Sequence, residues 1–331
     1  MPNRRWTIAL VLIVSMFVGL LLQFSSSFIQ IHTLVKPLQT QPASGSDPVH
    51  IVLIAQELDN YSWRAIEQGA RKAALAYGME LEYLGPDRIN PEEQIRLLDK
   101  AISAKADAIL FQGIDNDEYR RLIRKAAGLG IPMIAVDTDE PGSERLAYVG
   151  TDNLGAGRQM GELVAEASGQ QGSIGVLISN EQAENQHLRL KGFRSVIEQH
   201  PGLHITEIAT SDISMLQAAQ EAQTMLVRYP HMNYMVGFSS SDGLGILDAA
   251  RRVRPGGVQI FAFDDKIETV EAVHAGNIKL TIVQQPVEMG FQAVQLLHGY
   301  WQGSIPPSVT YTGTYVLKAD RSESAPRGTT P

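Results

Sequence analysis

Cysteine is missing from all 331 residues. A disulfide framework is therefore excluded, and so is an N-terminal cysteine that would carry a lipid. The eight histidines are scattered without an i, i+4 pair on one helix, so a structural zinc site lacks ligands in a usable spacing. A clustered basic face is lacking too. The net charge is −8, and the short runs Arg120 with Arg121 and Arg251 with Arg252 read as solvated helix faces, which argues against a nucleic-acid partner. Enzyme signatures stop short of completion. Gly155, Gly157 and Gly161 open a helix after a strand, but a dinucleotide fingerprint needs its third glycine where Met160 stands. Gly237, Ser239 and Ser241 begin like a nucleophile elbow, and Ser241 takes the place of the closing glycine. No catalytic residue, cofactor or metal is assigned, and the chain reads as a binding protein rather than an enzyme.

What is present begins with a membrane signal. Arg4 and Arg5 precede an uncharged stretch from Trp6 to Leu22, roughly 17 residues, just enough to span a bilayer. The positive residues place the rest of the chain outside the cytoplasm. No small-residue cleavage site follows Leu22, so residues 1–35 read as an uncleaved anchor rather than a removed signal peptide. Residues 36–48, KPLQTQPASGSDP, form a linker. From Val49 onward, apolar runs too short for helices alternate with stretches of helical spacing, which predicts α/β architecture with parallel sheets covered on both faces. The tail, residues 318–331, is rich in Ser, Pro, Gly and Thr and is expected to be disordered.

The first unit, HIVLIAQELDNYSWRAIEQGARKAALAYGMELEYL, shows the pattern best: a buried strand, a loop, a helix ending at Gly78, and a second strand. In such sheets ligands bind where strands end and helices begin. A polar or aromatic residue recurs at that point. Asn60 and Trp63 follow the first strand, Asp137 follows IPMIAV, Ser239 follows YMVGF, Asp264 follows VQIFAF, and Gln284 follows KLTIV. These six residues offer hydrogen bonding and one indole face, without a nucleophile and base, which suits a polyol such as a sugar. Taken singly, an Asp or Asn in this position is as readily a helix cap. Asp59 and Asp265 are assigned to such capping or loop roles.

The segments LDNYSWRAIEQGARKAA, IPMIAVDTD, YVGTDNLGAGRQMGE, IFAFDD and TIVQQPVEMG, in this order, resemble the ribose-binding-protein group of type I periplasmic binding proteins. That resemblance implies two doubly wound α/β lobes joined by three crossovers, with a sugar enclosed between them. It places one lobe at residues 49–151 plus 285–313 and the other at 152–284 plus 314–317. By resemblance, Asn60 and Trp63 clamp the sugar ring, Asp137, Asp264 and Gln284 hold hydroxyls, and Arg189 in HLRLKGF joins them. The chain departs from the family pattern at Thr138, where an arginine is usual, and at Ser239 and Ser240, where the family has an Asn-Asp pair. Repressors with the same lobes carry a DNA-binding helix-turn-helix where this chain has its membrane segment. The implied role is a solute receptor that closes on a monosaccharide and hands it to an ABC permease; the alternative is an anchored sensor acting on a membrane histidine kinase or chemoreceptor.

Overall fold

The run HIVLI forms strand β1 (His50–Ile54), and its alternation decides the layering. Ile51 and Leu53 join one apolar layer while Val52 and Ile54 join another. Successive side chains of a strand point to opposite faces, so a strand apolar throughout must be covered twice. The cover comes from α1 (Tyr61–Ala76), α2 (Pro91–Ser103), α3 (Asp117–Gly128) and, from far along the chain, α9 (Pro286–Trp301). Between them run β2 (Glu80–Leu84), β3 (Ala108–Phe111), β4 (Met133–Val136) and β5 (Ala147–Thr151). The computed structural model describes residues 48–180 and 183–319. Among these no helix is long and apolar enough to cross a membrane. The expected membrane anchor, the linker before Pro48 and the tail from residue 320 lie outside them.

A second sheet is built the same way from β6 (Gly172–Ile178), β7 (Leu203–Thr210), β8 (Met232–Gly237), β9 (Gln259–Phe263) and β10 (Leu280–Val283). Helices α4 (Asn153–Ser168) and α5 (Glu184–Ile197) cover one face; α6 (Met215–Arg228), α7 (Asp242–Val253) and α8 (Ile267–His274) cover the other. Strands β11 (Val309–Thr312) and β12 (Tyr315–Lys318) complete the two sheets. Their orders are β2-β1-β3-β4-β5-β11 and β7-β6-β8-β9-β10-β12. The second lobe thus repeats the winding of the first, although no sequence repeat announces it.

The sheets are not wholly parallel as the sequence pattern predicts. β11 runs parallel to β5, but β12 is antiparallel to β10. The cause is a short connection: only Gly313 and Thr314 separate the two strands. All other strands run toward the edge that the lobes share, so a chain leaving the first sheet there enters the second at that same edge and must run backwards. Lys318, assigned above to the tail, is the last residue of β12 and pairs with Leu280.

Both lobes bring two helices into backbone contact through glycine. A methyl group at Gly69 of α1 would overlap the Val287 carbonyl, and one at Gly290 of α9 would overlap that of Ile66. In the second lobe Gly157 of α4 lies against the Arg189 carbonyl, and Gly192 of α5 against that of Leu154. Of the glycines that imitate a nucleotide fingerprint, Gly157 and Gly161 are therefore packing residues, and Gly155 lies against the capping carboxylate of Asp152.

Candidate functional site

The carboxyl ends of the two sheets face each other across a narrow cleft of about 70 Å³. Asn60, Trp63, Asp137, Arg189, Ser239, Asp264 and Gln284 all line it. Their positions follow from strand direction, since each strand of a parallel sheet ends on the same edge.

Asn60 has two jobs. Its Oδ1 accepts from the backbone N–H groups of Ser62 and Trp63 at 3.0 and 3.3 Å, capping α1, and its amide nitrogen is left for the cleft. Trp63 is 2 % exposed, belongs to the apolar core beneath α1 and lines the cleft. Asp59 does not cap; it pairs with Arg64 at 2.8 Å on the surface. Nor does Asp265. It accepts from the Tyr61 hydroxyl at 3.2 Å and the Tyr315 hydroxyl at 3.5 Å, so it ties the first turn of α1 to the second lobe. Burial, then the Asp265 charge, push the Tyr61 phenol up to about 12.

Asp137 and Asp264 occupy equivalent places after β4 and β9, and both have left-handed backbones, φ +67° and +66°. Asp tolerates this region better than most residues, at some cost in strain. The strain is held by matching bonds. The Asp137 N–H donates to the Val149 carbonyl at 3.0 Å, and its own carbonyl accepts from the Tyr148 hydroxyl at 2.9 Å. The Asp264 N–H donates to Ile282 at 2.8 Å, and its carbonyl accepts from Thr281 at 2.7 Å. Each backbone is thereby turned so that the carboxylate meets the cleft instead of the strand.

Arg189 comes from the first half of α5 and is buried. Its Nε donates to Asn153 Oδ1 at 2.8 Å, Nη1 to the Phe238 carbonyl at 2.7 Å, and Nη2 to Gln284 Oε1 at 2.6 Å. The guanidinium lies 4.3 Å over the Phe263 ring. Gln284 Oε1 also accepts from Thr151 at 2.8 Å, while its Nε2 donates to Asp264 Oδ1 at 2.8 Å. An oriented amide therefore stands between cation and anion, oxygen toward Arg189 and nitrogen toward Asp264. Burial lowers the Arg189 pKa, against the pull of Asp264 and Asp137. Burial raises that of Asp264, with Arg189 and the Gln284 hydrogen bond opposing.

Burial also pushes Asp137 from its ordinary 3.8 to about 6, against Arg189 and the Thr138 hydroxyl. Two pH effects of opposite sign are expected. Between about 6 and 3.8 the folded chain holds this proton more often than the unfolded chain, so ligand-free stability rises as pH falls through that window and levels off below it. A ligand hydroxyl donating to Asp137 needs the ionised form, so affinity falls as pH drops below about 6. Comparing unfolding free energies and calorimetric affinities of the wild type and Asp137→Asn across this range tests both, since the variant loses the Asp137 contribution to each trend and keeps only that of other buried carboxyls such as Asp264.

Among the described residues, three cleft atoms are buried without a hydrogen-bond partner: Gln112 Oε1, Asn185 Oδ1 and Ser239 Oγ. Sequence reasoning missed Gln112, although it directly follows β3 and satisfies the strand-end rule. Asn185 and Gln186 were missed because they sit on a helix, where the only signal is their spacing of four and three residues before Arg189. Ile213 had no signal; it reaches the cleft from a left-handed backbone, φ +61°. Among the described residues no group of His, Asp and Glu is placed to hold a metal.

A domain family described as periplasmic binding protein domain matches residues 51–305. The D-apiose import binding protein of Paraburkholderia graminis is 24% identical over 251 residues, which cover 76% of this chain and 80% of that protein. Among solved structures, GanP, a glucose-galactose binding protein from Geobacillus stearothermophilus, matches with a TM-score of 0.81 at 36% identity, covering 84% of this chain and 100% of GanP. A chain of a XylFII–LytSN complex matches with a TM-score of 0.77 at 31% identity, covering 83% of this chain and 99% of its own length.

Proposed function

We propose, from the premise that this chain belongs to the periplasmic binding protein family, that it encloses a monosaccharide between its two lobes outside the cytoplasm and delivers it to an ABC-type sugar importer. It is a binding protein, not an enzyme. The observation that carries the reading is the set of three partnerless polar atoms beside Asp137, Asp264 and Arg189. An apolar ligand would leave each of them buried and unsatisfied, at about 1 to 3 kcal/mol apiece. A sugar hydroxyl donates to a carboxylate or amide oxygen and accepts from a guanidinium or amide nitrogen at once, and bonds to charged partners are the stronger ones. In this reading Asn60, Asp137, Arg189, Ser239 and Asp264 contact the sugar. Gln284 fixes Arg189 and Asp264 relative to each other, and Trp63 lines the cleft. Contacts from Tyr61 to Asp265 and from Asn185 to Asp137 span the cleft, so a ligand that touches both walls favours the closed state by its differential affinity.

A second reading is favoured by the likeness to a XylFII–LytSN complex: the closed lobes report the sugar to a membrane partner such as a histidine kinase. The N-terminal segment, if it anchors the protein, suits that role.

A thermal-shift panel of pentoses, hexoses and polyols on the full chain, purified in mild detergent, tests the sugar site. A sugar at about a thousand times its dissociation constant adds roughly 4 kcal/mol, a rise on the order of 10 °C for a protein of this size. The reading fails if every sugar leaves the melting temperature unchanged. Uptake of the labelled sugar by cells lacking the protein then separates the roles: lost uptake supports the importer, normal uptake with lost transcriptional response the sensor.

A further inference from the structure

Tyr61 and Asp265 meet from opposite lobes, and neither lines the cleft. The Tyr61 hydroxyl, on the first turn of α1, donates to Asp265 Oδ1 at 3.2 Å. The other carboxylate oxygen, Oδ2, accepts from the Tyr315 hydroxyl at 3.5 Å. Tyr315 opens β12 directly after Gly313 and Thr314, the crossover that ends in the second sheet. It therefore shares a lobe with Asp265 and holds one oxygen of that carboxylate, leaving the other for Tyr61. The Tyr61 side of the contact is not held by core packing, since that residue is 43 % exposed.

A hydrogen bond is lost beyond about 3.5 Å. The Tyr61–Asp265 bond thus exists only while the lobes are close, and it favours that state without help from anything in the cleft. Its acceptor is a carboxylate, which strengthens it over a bond between neutral groups. We propose that Tyr61, Asp265 and Tyr315 form a latch outside the sugar site that stabilises the closed lobes and so sets affinity without touching the sugar. A ligand that binds only the closed state has an apparent dissociation constant equal to the intrinsic one divided by the closed fraction. A contact that raises this fraction tightens binding of every ligand the lobes enclose, by one common factor. The cleft residues decide which sugar binds, and the latch decides how much of its binding energy is spent on closing. The inference rests on the reading of a receptor that closes on its ligand and adds a determinant of affinity indifferent to ligand chemistry.

The test uses the absence of cysteine: two introduced at exposed positions, Leu75→Cys on α1 and Val227→Cys on α6, carry one spin label on each lobe. Pulsed electron resonance then gives the closed-to-open ratio of the full chain in mild detergent without sugar. Calorimetry with whichever of D-glucose, D-galactose, D-ribose and D-xylose binds most tightly gives the affinity. Tyr61→Phe keeps the ring and deletes the donor. It should lower the closed-to-open ratio by at least about threefold, and the affinity in proportion to the closed fraction, while the sugar-saturated distance stays that of the wild type. Tyr315→Phe, which only frees the carboxylate, should lose less, and Asp265→Ala should add nothing further in the Tyr61→Phe background, because one shared bond is already gone. An unchanged ratio in Tyr61→Phe overturns the proposal. An affinity loss larger than the fall in closed fraction overturns it too, by making Tyr61 a sugar contact. Because the distances are measured without sugar, they decide for or against the latch even where no sugar binds and the receptor reading fails.

Discussion

Replacing Arg189 by alanine should abolish measurable sugar binding, with affinity at least a hundredfold lower, and should cost the ligand-free chain about 3 kcal/mol or more. Both losses have the same origin. Three acceptors, Asn153 Oδ1, the Phe238 carbonyl and Gln284 Oε1, each take a bond from one guanidinium at 2.6 to 2.8 Å, and only the last two keep a second donor, Gln186 at 3.4 Å and Thr151 at 2.8 Å respectively. A fully buried acceptor left without its donor costs about 1 to 3 kcal/mol. The cation also opposes the desolvation of Asp137 and Asp264, so its removal drives both carboxyls further toward the protonated form. They then stop acting as strong acceptors for sugar hydroxyls. Arg189→Lys separates charge from shape. An ammonium restores the electrostatics but presents a point charge where a planar fork serves three directions, so stability should recover in part while affinity should not. Chemical denaturation and calorimetry on the three proteins give the answer. Wild-type affinity in Arg189→Ala would remove this residue from the site.

The residues of the cleft differ in how openly the sequence declares them. Asp137, Ser239, Asp264 and Gln284 stand directly after apolar runs, and strand polarity alone collects such positions along one edge. Gln112 obeys the same rule after AILF and was there to be read. Asn185 was not, because a polar residue in the first turn of a helix is ordinary, and its importance lies in contacts with Asp137 from the other lobe. The left-handed backbones of Asp137 and Asp264 were equally hidden, since they depend on hydroxyls from Tyr148 and Thr281 on neighbouring strands. The antiparallel course of β12 arises from a short connection between lobes, which composition cannot reveal while it suggests only one more strand. Likewise, the exposed-looking pair Tyr61 and Asp265 gives no local sign of its contact across the molecule. Local chemistry was legible, in short, wherever it followed strand direction, and illegible wherever two lobes had to meet.

The glycines of α4 supply the remaining large effect, and they connect packing to the site. Gly157 has the backbone of Arg189 against it, with the carbonyl oxygen, carbonyl carbon and Cα all inside normal contact distance of an added methyl. Gly192 makes the reciprocal contact with Leu154, and Gly161 faces Val196. The crossing of α4 and α5 is therefore set by absent side chains, and on the same two helices Asn153 Oδ1 holds Arg189 Nε. A methyl at Gly157 must push α5 away, since backbone atoms cannot rotate aside as a side chain can. Overpacking of this kind costs about 1 to 3 kcal/mol, and the shift carries the guanidinium off its acceptors. Gly157→Ala should consequently lose stability and at least tenfold in sugar affinity together. Gly128→Ala is the matched control: the same methyl, at the end of α3, meets nothing within 4 Å, so it should gain about 0.5 to 1 kcal/mol from helix propensity and leave affinity unchanged. If Gly157→Ala melts early yet binds as the wild type does, the crossing stabilises the lobe without positioning Arg189. If affinity and stability fall together, the close approach of two helices is what aims the cation into the cleft.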